Sequence, residues 1–415
     1  MTRRSAPALD PARLRRWLDE VSAFGRTVGG GVSRLAASRE DGQVRDWLRA
    51  RFTEEGFKVT VDAVGNMYGV LDLAGPSAQF VLTGSHLDSQ PAGGRYDGAY
   101  GVVAGLEAAL AVRRASVQGG LRASHNLAVV DWTNEEGARF APSTLGSAVY
   151  ASLVDKDFAL SRVDGDGISL GAALQKIGYL GADMPPRPVA AYVELHIEQG
   201  PLLERADCAI GVVEGNWGTV KYVVDIAGEA AHTGPTPMAE RRDALLPAAA
   251  LILFARDLSD QTGGKLLSSV GRLDVRPNST NVVAGHARLY AEFRAVDPQQ
   301  LEDACSRFEV RVRELSTSAV TMTLTRTVDR PAGSFDPVLR ELIENEARAA
   351  GYATLRLETV AGHDAISLRA VAPSAMIFVP SAGGISHNEV EFTKPADLVA
   401  GAEVLAYVLA RLITY

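Results

Sequence analysis

The pattern of apolar and polar positions changes character twice along the chain. Asp10-Pro11 reads as an N-cap followed by proline at the first helical position, opening a helix to about Phe24. Glu40-Asp41 opens another, with Val44, Trp47, Leu48 and Phe52 at helical spacing. Three runs, 58–64, 68–73 and 80–84, read as strands. An Ala/Val/Leu-rich helix over 98–113 and an apolar strand over 126–132 follow. This alternation predicts an α/β unit, a mixed sheet flanked by helices.

Beyond Gly211 the strands alternate as half-exposed ones do, at 219–226, 268–275 and 286–293, with a fourth at 320–328. A long Ala/Leu-rich helix over about 241–258 and a second over 299–315 lie among them. Four antiparallel strands with two helices on one face make an α+β layer. After Asp329-Arg330-Pro331 the first pattern resumes, with a helix at 338–350, a strand at 374–379 and a helix at 395–413. The economical reading is an insertion: 216–328 forms a second domain inside a first one built from 1–215 and 329–415.

Composition narrows the field. With 415 residues the chain has room for two or three domains of about 150 residues. Lys+Arg 42 against Asp+Glu 50 leaves a net charge of −8, which argues against nucleic acid or an anionic membrane as partner. A hydrophobic fraction of 47% with 22% charge is that of a globular chain. The two cysteines, Cys208 and Cys305, make neither a disulfide framework nor a CxxC metal site and fit a reducing compartment. Neither a secretory signal nor an apolar run of about 18 to 20 residues is visible, so the expectation is a cytoplasmic protein.

The chemistry is concentrated in five short strings. Gly84-Ser85-His86-Leu87-Asp88-Ser89 ends an apolar strand, and residues two apart on a strand share a face, so Asp88 can orient His86. Gly93-Gly94-Arg95-Tyr96-Asp97-Gly98 sets a carboxylate among glycines that permit unusual dihedrals. Asp131-Trp132-Thr133-Asn134-Glu135-Glu136-Gly137 puts adjacent carboxylates at a strand end, where they repel unless something positive is near. Glu194-Leu195-His196-Ile197-Glu198-Gln199-Gly200-Pro201 and Gly384-Ile385-Ser386-His387-Asn388 complete the set. Each string has an ordinary reading when taken alone: a strand-end His, an N-cap Asp before a helix, a solvated Glu-Glu loop. Together they place three histidines and several carboxylates at strand ends, where open α/β sheets bind ligands. A His/Asp/Glu donor set without Cys suits Zn²⁺, Mn²⁺ or Co²⁺.

These strings stand in the order and spacing of the M20 metallopeptidase-like amidohydrolases. The chain resembles most closely the branch holding N-carbamoyl-L-amino-acid hydrolases, allantoate amidohydrolases and β-ureidopropionases, from about Phe24 to its C-terminus. The resemblance implies a dinuclear-metal domain with an inserted lid and dimerisation domain. It implies two divalent ions per subunit, bridged by Asp97, one held by His86 and His196 and the other by Glu136 and His387. Glu135 is similar to the family's general base, and Asp88 to a residue supporting His86. Ala231-His232-Thr233-Gly234-Pro235-Thr236-Pro237-Met238 resembles the family's oxyanion string, with His232 reaching the site of a partner subunit in a homodimer. Gln199 resembles the contact to a ureido or amide group, and Asn281 and Arg294 the readers of a substrate carboxylate. Read without the family, Asn281 is a turn residue and Arg294 a surface strand charge.

Two departures bear on substrate. Thr233 and Pro235 replace the usual residues beside the oxyanion His, and Ala291-Glu292-Phe293-Arg294 lacks the Asp often found two residues before that Arg. Gly362-His363-Asp364 is a family-like string read as support for the site, whereas His125 and His286 lie outside any motif. The implied reaction is hydrolysis of a linear C–N amide in an N-carbamoyl or ureido acid, a small-molecule substrate. The alternatives are an allantoate-type amidohydrolase, an aminoacylase or dipeptidase of the same superfamily, and, more remotely, a metal-binding homologue without activity.

Overall fold

The computed structural model describes residues 7–119 and 121–414. Its contacts divide the chain into two compact units, with boundaries at Glu214/Gly215 and Gly333/Ser334. The first unit thus contains both ends of the chain, and the second is a continuous insertion. Both crossings lie within about five residues of the composition changes seen in the sequence.

The first unit is built on a mixed sheet, nine-stranded among the described residues. Its centre is a parallel group in the order Asn126–Trp132, Phe80–His86, Val189–Ile197, Ser374–Val379. Antiparallel strands extend it on either side: Lys58–Val61 and Met67–Leu71 beyond the first, Ile210–Asn216 beyond the last. The central strands are buried nearly throughout, which is why 126–132 and 374–379 read as apolar runs rather than alternations. Helix Ala99–Val117 packs on strands Phe80–His86, Asn126–Trp132 and Val189–Ile197 and against helices Pro11–Val21 and Pro395–Leu412. Being covered by sheet and helices, it is buried almost all round, and its sequence shows little amphipathic bias.

Strand Phe80–His86 comes first in the chain among these four, and its neighbours lie on opposite sides, Asn126–Trp132 on one and Val189–Ile197 on the other. Strand order therefore reverses at Phe80–His86, and the carboxyl ends of three parallel strands open onto one crevice. The register sets His86 opposite Trp132 and Phe378 opposite His196.

Behind that crevice lies a buried ion network. Arg45, fully buried on helix Arg39–Glu54, reaches Asp41 at 3.0 Å and Asp131 at 3.2 Å and donates to the Gly65 carbonyl at 2.8 Å. Asp131 in turn accepts the Leu87 N–H at 2.9 Å, so the network clamps the segment following His86. Burial acts against the Arg45 charge, but Asp131 and Asp41 more than compensate and leave its basicity raised.

The second unit has the strand order Thr321–Arg330, Gly218–Ala227, His286–Ala295, Leu266–Arg276, all antiparallel. Helices Leu245–Asp260 and Pro298–Leu315 cover one face, against which Val220, Tyr222, Val224, Ile226, Leu289 and Phe293 turn inward. The helix expected from Arg241 starts instead at Leu245. The Arg242 carbonyl accepts the Glu229 N–H at 2.9 Å and Arg241, itself extended, donates to the Thr236 carbonyl at 3.1 Å, which ties 241–242 outside the helix. The Asp243 carboxylate then accepts the Leu245 N–H at 2.9 Å. Short helices Leu145–Tyr150, Lys156–Leu160 and Leu170–Ile177 had no counterpart in the hydrophobic pattern. Among the described residues, no helix is long and apolar enough to cross a membrane.

Replacing Arg45 with Met strands two buried carboxylates. Arg45→Met should lower the unfolding free energy by about 3–5 kcal/mol, read as a fall in urea midpoint at unchanged slope.

Candidate metal centre

The crevice at the strand ends collects six of the side chains singled out in the sequence. His86 closes strand Phe80–His86, His196 lies one residue from the end of Val189–Ile197, and Glu135 and Glu136 follow Asn126–Trp132. Asp97 stands immediately before helix Ala99–Val117, and His387 on the loop after Ser374–Val379. Between Asp97 and that helix Gly98 has φ +64°, and a Cβ there would lie 2.3 Å from the His86 ring. Only glycine allows both the turn and the close approach.

Asp97 is the centre of the arrangement. Its Oδ1 lies 3.2 Å from His196 Nε2 and 3.7 Å from His86 Nε2. Its Oδ2 lies 3.2 Å from His387 Nε2, which is 3.5 Å from Glu136 Oε2. Two groups able to hold a metal ion result, His86–Asp97–His196 and Asp97–Glu136–His387, sharing one carboxylate. Glu135 Oε2 lies 3.6 Å from His86 Nε2 but belongs to neither group. Gln199 Nε2 donates to Asp97 Oδ2 at 2.8 Å, and its Oε1 is buried without a hydrogen-bond partner.

The ring nitrogens are sorted by their neighbours. His86 Nδ1 is 2.9 Å from the Asp88 carbonyl and His196 Nδ1 is 2.8 Å from the Ile197 carbonyl. A carbonyl can only accept, so Nδ1 carries a proton in both rings and Nε2 is left to face Asp97. Burial pushes His86 down to about 4, against the pull of Asp97. For His196 burial is overcome by the hydrogen bond to Asp97, which raises it to about 9. The same carboxylate, opposed by burial, raises His387 to about 9. Burial also resists the Asp97 charge, but His196 and His387 outweigh it and hold its carboxyl well below the usual range.

The other carboxylates go the opposite way. Burial, then the charges of Asp364, Glu136, Asp88 and Asp97, push Glu135 well above the ordinary value. Burial and Asp97 raise Glu136 to about 7, with His387 opposing. Buried like charges of this kind are what a bound cation relieves, and the N/O donor set fits such an ion.

The supporting residues differ in part from expectation. The Asp88 carboxylate does not orient His86: it lies 3.8 Å from Nδ1, and the Asp88 carbonyl takes that bond. Its Oδ1 and Oδ2 accept the N–H groups of Glu135 and Glu136 at 3.1 and 3.2 Å and so fix the carboxylate-bearing loop. His363 packs edge-on against His196, ring centroids 4.6 Å apart, with its Nε2 3.0 Å from Thr359 Oγ1. Glu194 accepts from Ser85 Oγ and from the Ala365 N–H, each at 2.8 Å, and forms a third buried group with His196 and His363.

Sequence reasoning passed over Glu391 and named Asp364 only within the supporting string Gly362-His363-Asp364. Glu391 is 3% exposed and accepts the N–H groups of Tyr96 and Asp97. Asp364 is fully buried, and its charge is the first to act on Glu135 after burial. The segment Val390-Glu391-Phe392-Thr393 turns its polar residues inward, against the usual apolar-in pattern, so the alternation pointed away from Glu391.

In the second unit, His232 sits on the two-residue strand Ala231–His232, paired with Val282–Val283. That pairing brings Asn281 beside it, the Asn281 carbonyl accepting the Thr233 N–H at 3.2 Å. His232 Nδ1 accepts the Gly234 N–H at 3.0 Å, which leaves the proton of the neutral ring on Nε2. Arg294 on strand His286–Ala295 donates to Glu292 at 2.6 Å, and Lys221 holds the other Glu292 oxygen at 2.8 Å. His286 pairs with Asp225 at 3.3 Å on the same sheet, and His125 Nδ1 lies 3.0 Å from Ser124 Oγ.

The profile of peptidase family M20/M25/M40 matches residues 82–411. A Mycolicibacterium smegmatis protein named only as a hydrolase is 42% identical over 98% of this chain and 94% of its own. An N-carbamoyl-L-amino-acid amidohydrolase of Rhizobium meliloti is 36% identical over 94% of this chain and 93% of its own. The crystal structure of a hydantoinase/carbamoylase-family amidase from Burkholderia vietnamiensis superposes with a TM-score of 0.94 at 38% identity, covering 99% of both chains.

A divalent cation must displace the protons that His196 and His387 retain up to about 9 and that Glu136 retains up to about 7. Affinity for the ion should therefore climb as pH rises from about 6 to about 9, with protons released on binding at neutral pH. Calorimetry in two buffers of unlike ionisation enthalpy measures that release, and a pH-independent affinity would contradict it.

Proposed function

The chain belongs to peptidase family M20/M25/M40, and we propose that it is a metal-dependent amidohydrolase acting on N-carbamoyl amino acids. The observation that carries this reading is the pair of donor groups sharing Asp97, with Glu135 beside them and in neither. In the proposed reaction R–NH–CO–NH₂ and one water give the amino acid, CO₂ and ammonia. The Rhizobium meliloti relative supports the ureido substrate. So does Gln199, whose buried Oε1 is an acceptor in want of an N–H.

His86 and His196 on one side and Glu136 and His387 on the other, with Asp97 between, would hold two divalent ions, of which Zn, Mn and Co all suit nitrogen and carboxylate donors. When bound, such ions polarise a carbonyl and lower the pKa of a water. Glu135 takes a proton from the attacking water and returns it to the leaving nitrogen; a carboxylate whose proton affinity burial has raised is suited to both halves of the transfer. Asp88 keeps Glu135 aimed by holding its backbone N–H.

In this reading the inserted unit is the lid and the dimerisation surface, and the enzyme is a homodimer. His232 presents Nε2–H to the tetrahedral oxyanion in the partner's site, a contribution of roughly 3–4 kcal/mol. Arg294 and Asn281 take the substrate carboxylate; the Glu292 pair fixes the Arg294 fork but also tempers its charge. The two free cysteines support a reducing, cytoplasmic setting.

Ammonia release should be seen with N-carbamoyl amino acids, with allantoate and dipeptides assayed alongside; cleavage of dipeptides alone would overturn the reading. Glu135→Gln should lower turnover by about 10²–10⁴-fold while metal content is kept. Mixing His232→Ala with Glu135→Gln subunits should restore part of the activity, because one site per heterodimer then has both groups. Verified heterodimers that stay inactive would place His232 elsewhere in the reaction.

A further inference from the structure

Glu391 occupies a position that none of the roles above uses. Its Oε1 accepts two successive backbone donors, Tyr96 N–H at 3.0 Å and Asp97 N–H at 3.1 Å. Its Oε2 accepts the Ser386 hydroxyl at 2.7 Å. That hydroxyl is also 3.3 Å from Asp97 Oδ2 and 3.2 Å from Gln199 Nε2. The carboxyl lies directly on the Gly94 backbone, where a Cβ would fall 1.9 Å from Glu391 Cδ. One buried carboxylate thus ties the glycine-rich turn carrying Asp97 to the loop carrying His387, two segments from opposite ends of the chain.

We propose that Glu391 is a positioning residue that selectively builds the Asp97–Glu136–His387 half of the metal centre. This rests on the reading of that triad as a metal site. The two halves are supported differently. His86 and His196 sit at the ends of central strands, are each 1% exposed, and have Nδ1 fixed by backbone carbonyls. Glu391 reaches that half only through the Asp97 turn, which both halves share. His387 is on a loop, with a half-exposed side chain and φ +52°. Its alignment with Asp97 Oδ2 depends on the link through Ser386 and Glu391. Loss of Glu391 also leaves two N–H groups without an acceptor at the turn where Asp97 must present both oxygens.

Cobalt(II) binding, followed by equilibrium dialysis with metal analysis on the full chain, tests this in five proteins: the wild type, Glu391→Ala, Glu391→Gln, Ser386→Ala and Glu136→Ala. Glu136→Ala identifies which of the two affinities belongs to the triad. Glu391→Ala is expected to weaken that ion by about 10–100-fold and the other by clearly less, as loss of a residue behind a metal ligand does. Glu391→Gln is expected to restore it, because the amide oxygen still accepts both N–H groups and the Ser386 hydroxyl can reverse to accept from the amide nitrogen. Thermal melting of the metal-free proteins separates this from general destabilisation. If Glu391→Ala does not fold, Ser386→Ala is expected to show the same one-sided loss in milder form. Equal weakening of both ions, or of neither, overturns the proposal. A wild type that does not bind two ions overturns the underlying reading of the centre instead.

Discussion

The structure depends on how much negative charge it buries around one carboxylate. Asp88, Asp97, Asp131, Glu135, Glu194, Asp364 and Glu391 are all buried in the first unit. Against them stand Arg34, Arg45 and the site histidines. A buried like-charge cluster pushes protons onto its members, and Glu135, Glu136 and Glu391 all show this direction. Asp97 alone goes the other way, since imidazoles approach both its oxygens. Two groups of nitrogen and carboxylate donors sharing Asp97, set among buried like charges that a cation would relieve, are what make the site legible as a candidate metal centre.

The location of that centre follows from topology rather than from any one motif. Because strand Phe80–His86 has its successors on opposite sides, three parallel strand ends converge beside it. Buried backbone groups supply the fine alignment: the carbonyls of Asp88 and Ile197 set two ring tautomers, and the Asp88 carboxylate holds two peptide N–H groups. Arg45 and Asp131 lie one layer further back, restraining Leu87 and so the residue before it.

Most of this was readable in the amino acids because periodicity and glycine-flanked strings are local. The apolar strand ending in Gly84-Ser85-His86 and the antiparallel alternation of 219–226 and 286–293 needed only neighbouring residues to be seen. What sequence reasoning missed is tertiary. Nothing local distinguishes Asp88 as a clamp on the Glu135–Glu136 backbone from Asp88 as a partner of the His86 ring. Helix Leu245–Asp260 loses its first expected turn because the Arg242 carbonyl is taken by Glu229. Glu391 was hidden for the opposite reason: Val390 and Phe392 face solvent while Glu391 and Thr393 face inward, so a rule that sends apolar residues to the core reads the segment inside out.

One topological feature also governs when the centre can exist. Strand Ser374–Val379 is not an edge strand; it lies between Val189–Ile197 and Ile210–Asn216 in the middle of the sheet. The long gap in sequence between these partners includes the whole inserted unit. Pairing so distant in sequence is slow to form, since the loop-closure entropy is lost before the contacts compensate for it. During synthesis the second unit emerges whole and can fold before the sheet that surrounds its insertion point is closed. Until residues 374–415 arrive, the crevice has neither strand Ser374–Val379 nor His387, and the early carboxylates stand open to water. Closure of the sheet and assembly of the centre are therefore a single event.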